Sequence, residues 1–263
     1  MILRKLAEAI RRQDWFMVVL EILIVVIGIF IGLQVDDWSQ HRKDLNLERE
    51  YLERLFSDLN GSIEDFVFYS RWDLRRLERQ YVVLQSLRSG VLREEDRAKF
   101  ADGLAMAGIH NPPRRRWGTV EELISTGNIS LISDVEFRTA LLASDSYFAR
   151  NERIARAAED RIATLRPNVT RLVDIRAFNL NFGSQADVSF DFKAMADDRT
   201  LVGTLADIQV ASDMILEFSV DSTRNIESLR DELADILGVD SEGLPRVDID
   251  VDAFPWKLED AAE

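Results

Sequence analysis

Apolar side chains fill almost every position over residues 15–35, WFMVVLEILIVVIGIFIGLQV, with only Glu21 and Gln34 interrupting. A helix of that span rises about 31 Å, the thickness of a bilayer's hydrocarbon core. Apolar nearly all round, it has no polar face to show water, so a transmembrane helix is expected. The competing reading is a secretory signal peptide. That needs a shorter apolar region and a small-x-small cleavage site, whereas this run closes on Leu33, Gln34, Val35, Asp36 and Asp37. An uncleaved anchor is the expectation.

Beyond the anchor the pattern becomes periodic. Residues 41–89 lack proline and place Leu52, Leu55, Leu59, Ile63, Phe66, Leu74, Leu77, Tyr81 and Leu84 at three- and four-residue steps. One long amphipathic helix follows, continuing the anchor almost unbroken, with Gly61 and Ser62 as the place where it can bend. Residues 134–165 carry Phe137, Leu141, Ser144, Phe148, Asn151, Ala155, Ala158, Ile162 and Leu165 in strict 4-3 alternation, with Ser133 and Glu136 as a capping box. Pro167 is expected to end or kink that helix, with helical spacing able to resume over 169–178. Residues 198–237 carry Leu201, Leu205, Ile208, Ile215, Ile226, Leu229, Leu233 and Ile236 on one stripe, interrupted by Ser212, Ser219 and Ser222, with Gly238 as the C-terminal cap. Shorter helices are expected near 93–107 and 119–126, and a loop or short extended segment over 179–192. Three long stripes are best satisfied by burying one another. The predicted fold is therefore all-α: a transmembrane helix continuing into a long-helix antiparallel bundle. Intermolecular coiled coils are the alternative burial. The expected division is 1–14 as a cytoplasmic segment, 15–35 as the span, 36–240 as the bundle and 241–263 as an acidic tail.

Two blocks resemble a bacterial family of single-pass envelope proteins of unknown function. One is the run LEILIVVIGIFIGLQV at 20–35, closed by Trp38; the other is GTVEELISTG at 118–127, followed by Ile129, Leu131, Ile132, Phe137 and Arg138. Together they cover about a fifth of the chain. The family often has paired asparagines where Asp36 and Asp37 stand, and an asparagine where Ser39 stands. The resemblance implies a single-pass envelope protein and supplies no reaction.

Charge around the span sets the expected orientation. Arg4, Lys5, Arg11 and Arg12 precede it and Asp36 and Asp37 follow, so the N-terminus belongs in the cytoplasm and the bulk of the chain beyond a bacterial inner membrane. Trp15 and Trp38 bracket the span where indole rings favour the headgroup boundary. Within it, Gly28 and Gly32 form a G-x-x-x-G pair, with Glu21 on nearly the same stripe seven positions before Gly28. Small residues let two helices approach closely, and a carboxyl group there can hydrogen-bond against a partner, so Glu21, Gly28 and Gly32 are the candidate seam of a homo-oligomer. Equally, glycine is common in membrane helices and Glu21 can reach toward the interface.

The formal net charge of −14 argues against nucleic acid as a partner. With no cysteine, disulfides and thiolate chemistry are excluded, and His41 and His110 are the only histidines. Phosphate-loop, dinucleotide, zinc and nucleophile-elbow signatures are absent, so no catalytic residue, cofactor or metal site is assigned and an enzyme is not expected. The most unusual composition is His110-Asn111-Pro112-Pro113-Arg114-Arg115-Arg116-Trp117, before a helix with Thr119 and Glu122 as a capping box. Arg114, Arg115, Arg116 and Trp117 are the candidates for anion or partner binding. The weightier alternative is a loop whose arginines pair with the protein's own carboxylates. Asp248, Asp250, Asp252 and Glu259 have the spacing of a calcium loop, but Ala253 replaces the required glycine and Pro255 falls inside, so an acidic tail is preferred. Val247, Ile249 and Val251 can dock on the bundle.

Three functions are compatible with this reading. The first is a non-enzymatic envelope scaffold that meets the bilayer, a second copy and an envelope protein partner. The second is a sensor-like receptor for a small anion, signalling through a membrane partner. A hydrolase using buried carboxylates ranks last.

Overall fold

The computed structural model describes residues 15–110, 115–178, 186–251 and Phe254, with side chains from Val19 onward. The expected residues 1–14, Arg114, Asp252 and Glu259 lie outside these. The fold is all-α in class, with three long helices, three short ones and one small hairpin among the described residues. The described residues divide into two units, one up to Tyr51 and one from Leu52 on.

Helix α1, Trp15–Ser89, is a single helix of 75 residues that passes through Gly61 and Ser62 without a break. In the first unit its apolar stretch is long and apolar enough to cross a membrane. The large apolar side chains between residues 19 and 35 are each 43–64% exposed, so none of the described residues covers them.

The second unit is built on three long helices: the later part of α1, α4 at Val135–Thr170 (36 residues) and α6 at Arg199–Leu237 (39 residues). Their directions follow from pairings. Ser70 meets Ser219 and Arg76 meets Ser212, so α1 and α6 are antiparallel. Arg161 pairs with Asp207, while Ala140 and Ser144 face Leu229, so α4 and α6 are antiparallel too. The expected 4-3 stripes are the buried faces. Leu55, Leu59 and Ile63 of α1, Phe137, Leu141 and Phe148 of α4, and Leu205, Ile208 and Ile226 of α6 are all buried. Each such side chain withdrawn from water stabilises the fold by roughly 1.5–3 kcal/mol before entropy is counted.

Short elements close the two ends. Helix α2, Arg97–Met106, lies against α1 with Gly103 at the contact; a Cβ there would come within 2.6 Å of the Arg79 carbonyl oxygen. The hairpin of β1, Val173–Ala177, and β2, Asp187–Phe190, is antiparallel, with Val173 opposite Phe190. Phe190 and Phe192, the latter opening the short helix α5 at Phe192–Asp197, pack on Phe100 of α2. Toward the other end, α3 at Gly118–Ser125 buries Val120 and Leu123. After α6, Ile249 and Val251 dock on Leu77, Leu216 and Val220, as the alternation allows.

Several expectations are corrected. The cap of α4 is Asp134, whose carboxylate accepts from the Phe137 N–H, not Ser133; the aspartate sits one place nearer the first helical residue and binds the first-turn N–H better. Pro167 neither ends α4 nor is followed by a new helix. The helix runs on to Thr170, and Val173–Ala177 is a strand, because Ile175 and Val188 pair across the hairpin and pack on the core. At α3 the Thr119–Glu122 box does not form. The Thr119 N–H and hydroxyl both donate to Asp58 Oδ2 of α1, and Glu122 takes Arg54 instead. A carboxylate from a neighbouring helix thus does the capping and places negative charge at the helix start.

Candidate functional site

Two polar clusters interrupt the bundle's apolar interior. The first centres on Arg76, whose side chain is wholly buried. The apolar stripe of α1 steps from Phe66 to Leu74, but the buried register continues through Ser70 and Asp73 to Leu77 and Gln80. Arg76, beside that register, donates from Nε to Asp73 Oδ1 at 3.1 Å and pairs with the same oxygen through Nη2 at 3.0 Å. Its Nη1 reaches Gln80 Oε1 at 3.3 Å and Ser212 Oγ at 3.2 Å, and Nη2 reaches His110 Nδ1 at 3.3 Å. Four guanidinium hydrogen bonds and the Asp73 ion pair meet this group, which is what allows a buried arginine to persist. Burial pushes the Asp73 carboxyl up, opposed by the Arg76 charge, and pulls the guanidinium down, opposed by Asp73.

His110 is neutral here: burial first, and the Arg76 charge second, hold it down to about 2. Because Arg76 donates to Nδ1, the ring proton sits on Nε2 and is given to Ser212 Oγ at 3.2 Å. Ser212 in turn donates to the Ile208 carbonyl at 2.6 Å. The Ser212–His110 pair therefore carries its proton on the wrong nitrogen for general-base work. This cluster holds α1, α6 and the segment ending at His110 in register.

The second cluster is a cavity of about 100 Å³ between α1, α4 and α6. Phe66, Phe148, Ile215 and Phe218 form apolar walls. Arg115 lines it with a side chain only 12% exposed, its guanidinium carbon 4.6 Å from the Trp117 ring centre and 4.7 Å from that of Phe148. Trp117 is buried, edge-on to Phe148 at 5.2 Å, and donates from Nε1 to Asp145 at 2.8 Å. The two rings so clasp the guanidinium plane. Arg115 Nη2 is 3.6 Å from Glu152, a loose pair, and burial pulls its guanidinium down against the charges of Glu152, Asp145 and Glu121.

Two residues lining the cavity carry a buried donor with no acceptor, Arg115 at Nη1 and Asn151 at Nδ2, the asparagine being 5% exposed. Each such group costs about 1–3 kcal/mol while it stays unmatched. Glu152, half exposed, and Glu159, whose carboxyl burial pushes up, also line it.

The proposed basic cluster is thus split by the fold. Arg115 turns inward to line the cavity, and Trp117 is buried against it. Arg116 stays at the surface, where its Nε meets Asp65 at 3.1 Å and its backbone N–H meets Ser62 at 2.8 Å. Gly61 is where this loop crosses α1, and a Cβ there would strike the Arg116 guanidinium. In the first unit Glu21 is exposed and open space surrounds Gly28 and Gly32. Asp248 pairs with Arg71 at 2.9 Å, and no acidic or histidine cluster able to hold a metal occurs among the described residues.

Asn151, Asp73 and Arg76 were not singled out from the sequence as site residues. The signal was present: a polar residue at a position that a 4-3 stripe assigns to the interior. Comparison with protein-family models, with curated proteins and with solved structures found no match.

Proposed function

We propose that the chain is a single-pass protein of the bacterial inner membrane, with its N-terminus in the cytoplasm and its bundle in the periplasm. It works without catalysis as an interaction or scaffolding module, self-associating through Glu21, Gly28 and Gly32 and meeting an envelope protein through the bundle. One observation supports this reading: an apolar helical stretch that none of the described residues covers, in the same helix that builds the bundle. Exposed apolar surface of that extent calls for lipid or a second helix. In native membranes, chemical crosslinking of the full-length protein should trap a dimer or a larger species. Gly28→Leu and Gly32→Leu should weaken it by separating the helices. A strictly monomeric protein that captures no envelope partner overturns the reading.

A second reading is favoured by the cavity at Arg115: a receptor whose bundle takes up a small molecule and passes the change to a membrane partner.

A further inference from the structure

The strap that follows α6 is gripped by its backbone. Three side chains of α6 meet main-chain atoms of three alternate strap residues. Arg230 Nη1 donates to the Pro245 carbonyl at 2.7 Å, Glu227 accepts the Val247 N–H, and Arg224 Nη2 donates to the Ile249 carbonyl at 3.2 Å. The strap therefore runs antiparallel to α6. An extended chain turns every second side chain to the same face. Ile249 and Val251, joined by Phe254, are accordingly buried on Leu77, Leu216 and Val220, while Asp248 meets Arg71 of α1 at the exposed rim, at 2.9 Å.

Bonds to main-chain atoms are open to any extended segment that keeps an N–H opposite Glu227. Selection comes from the pattern of side chains: apolar groups at the two alternate positions that follow, and an acid just before the first of them for Arg71. The groove needs an occupant. Arg230 is wholly buried and Glu227 nearly so, and without the strap both lose a main-chain partner while Leu77, Leu216 and Val220 lose their cover. Yet the strap is tethered rather than woven into the fold. Neither helix nor strand forms over 239–250, and Gly238 and Gly243, at φ 68° and 83°, stand at the two ends of the tether.

We propose that this groove docks an extended acidic segment of an envelope protein, with apolar residues at alternate positions, and that residues 245–254 hold it in cis as a competitor. The inference rests on the scaffolding reading and deepens it by giving the bundle's partner a surface and a chemistry.

The test uses the full-length protein in nanodiscs and a fluorescent peptide copying residues 244–254, LPRVDIDVDAF, followed by anisotropy. The strap competes at the high effective concentration of an attached segment, so the wild type should bind the peptide weakly. Ile249→Asp with Val251→Asp removes two of the strap's apolar anchors. That variant should bind the peptide saturably at one site per chain, about tenfold or more tightly than the wild type. Val247→Pro, a milder release that removes the N–H given to Glu227, should also bind more tightly than the wild type. Circular dichroism should show the bundle intact in both. A peptide N-methylated at the position of Val247 should bind about tenfold or more weakly, because Glu227 is left without its donor. Excess wild-type chain reconstituted alongside a released variant should leave peptide binding unchanged.

No saturable binding to either released variant, equally tight binding by the wild type, or equal binding of the N-methylated peptide overturns the proposal. Loss of the peptide site on adding wild-type chain assigns the groove to a second copy's strap and overturns a separate partner. Crosslinking in native membranes reads the anchor and this titration reads the groove, so the failure of one is distinguishable from the failure of the other.

Discussion

Arg76 shows how a single residue can dominate the interior. It is the ion-pair partner of Asp73, so substituting it strands that residue as an unpaired buried carboxylate. Arg76→Met should lower the unfolding free energy by about 3–5 kcal/mol in denaturant titrations of the detergent-solubilised protein. Arg76→Met with Asp73→Leu should lose less than Arg76→Met alone, since the double change removes both charges. His110 supplies a pH dependence. Its folded value near 2 lies below the ordinary 6.5, so the unfolded state binds more protons between them. Stability from the neutral ring is fully present above pH 6.5 and is lost as pH falls, by at most about 1.4 kcal/mol per pH unit. Between pH 6.5 and 5, above most carboxylates, His110→Gln should flatten this slope; an unchanged slope would place the proton elsewhere. Neither residue stands out in the linear sequence, because a polar side chain at a core position looks like a break in the stripe until its acceptors, far along the chain, are brought to it.

At the level of elements, local pattern was a good guide wherever a helix is governed by its own residues. The ends of α6 are an example, with Asp198 accepting from the Thr200 and Leu201 N–H groups and Gly238 left-handed at φ 68°. It failed where another element supplies the partner. Asp58 caps α3 from outside, and β1 exists because β2 lies beside it, a pairing that helical spacing over 169–178 cannot reveal. Gly103 likewise reads as a weak point in a helix. In the fold it admits the Arg79 carbonyl, so Gly103→Ala should destabilise by about 1–3 kcal/mol despite alanine's better helix propensity, measurable as a lower thermal midpoint. A rise in the midpoint would show that α2 does not pack this closely on α1.

For the whole molecule the testable matter is sidedness. The native chain has no cysteine, so single cysteines are clean reporters. With the bundle in the periplasm, Asp240→Cys, at an exposed site, should react with a membrane-impermeant maleimide in intact spheroplasts, and Glu8→Cys should react only after lysis. The opposite pattern would reverse the orientation drawn from Arg4, Lys5, Arg11 and Arg12. The sequence alone determined the long apolar N-terminal stretch, the three long helices and their buried faces, because hydrophobic burial repeats with helical period and each stripe must find cover. Only the tertiary structure decided which polar residues on those stripes meet, which carboxylate caps which helix, and that Arg115 turns inward while Arg116 stays out. Those outcomes rest on hydrogen bonds and ring contacts between residues dozens of positions apart, and periodicity along one helix carries no information about the distance to another.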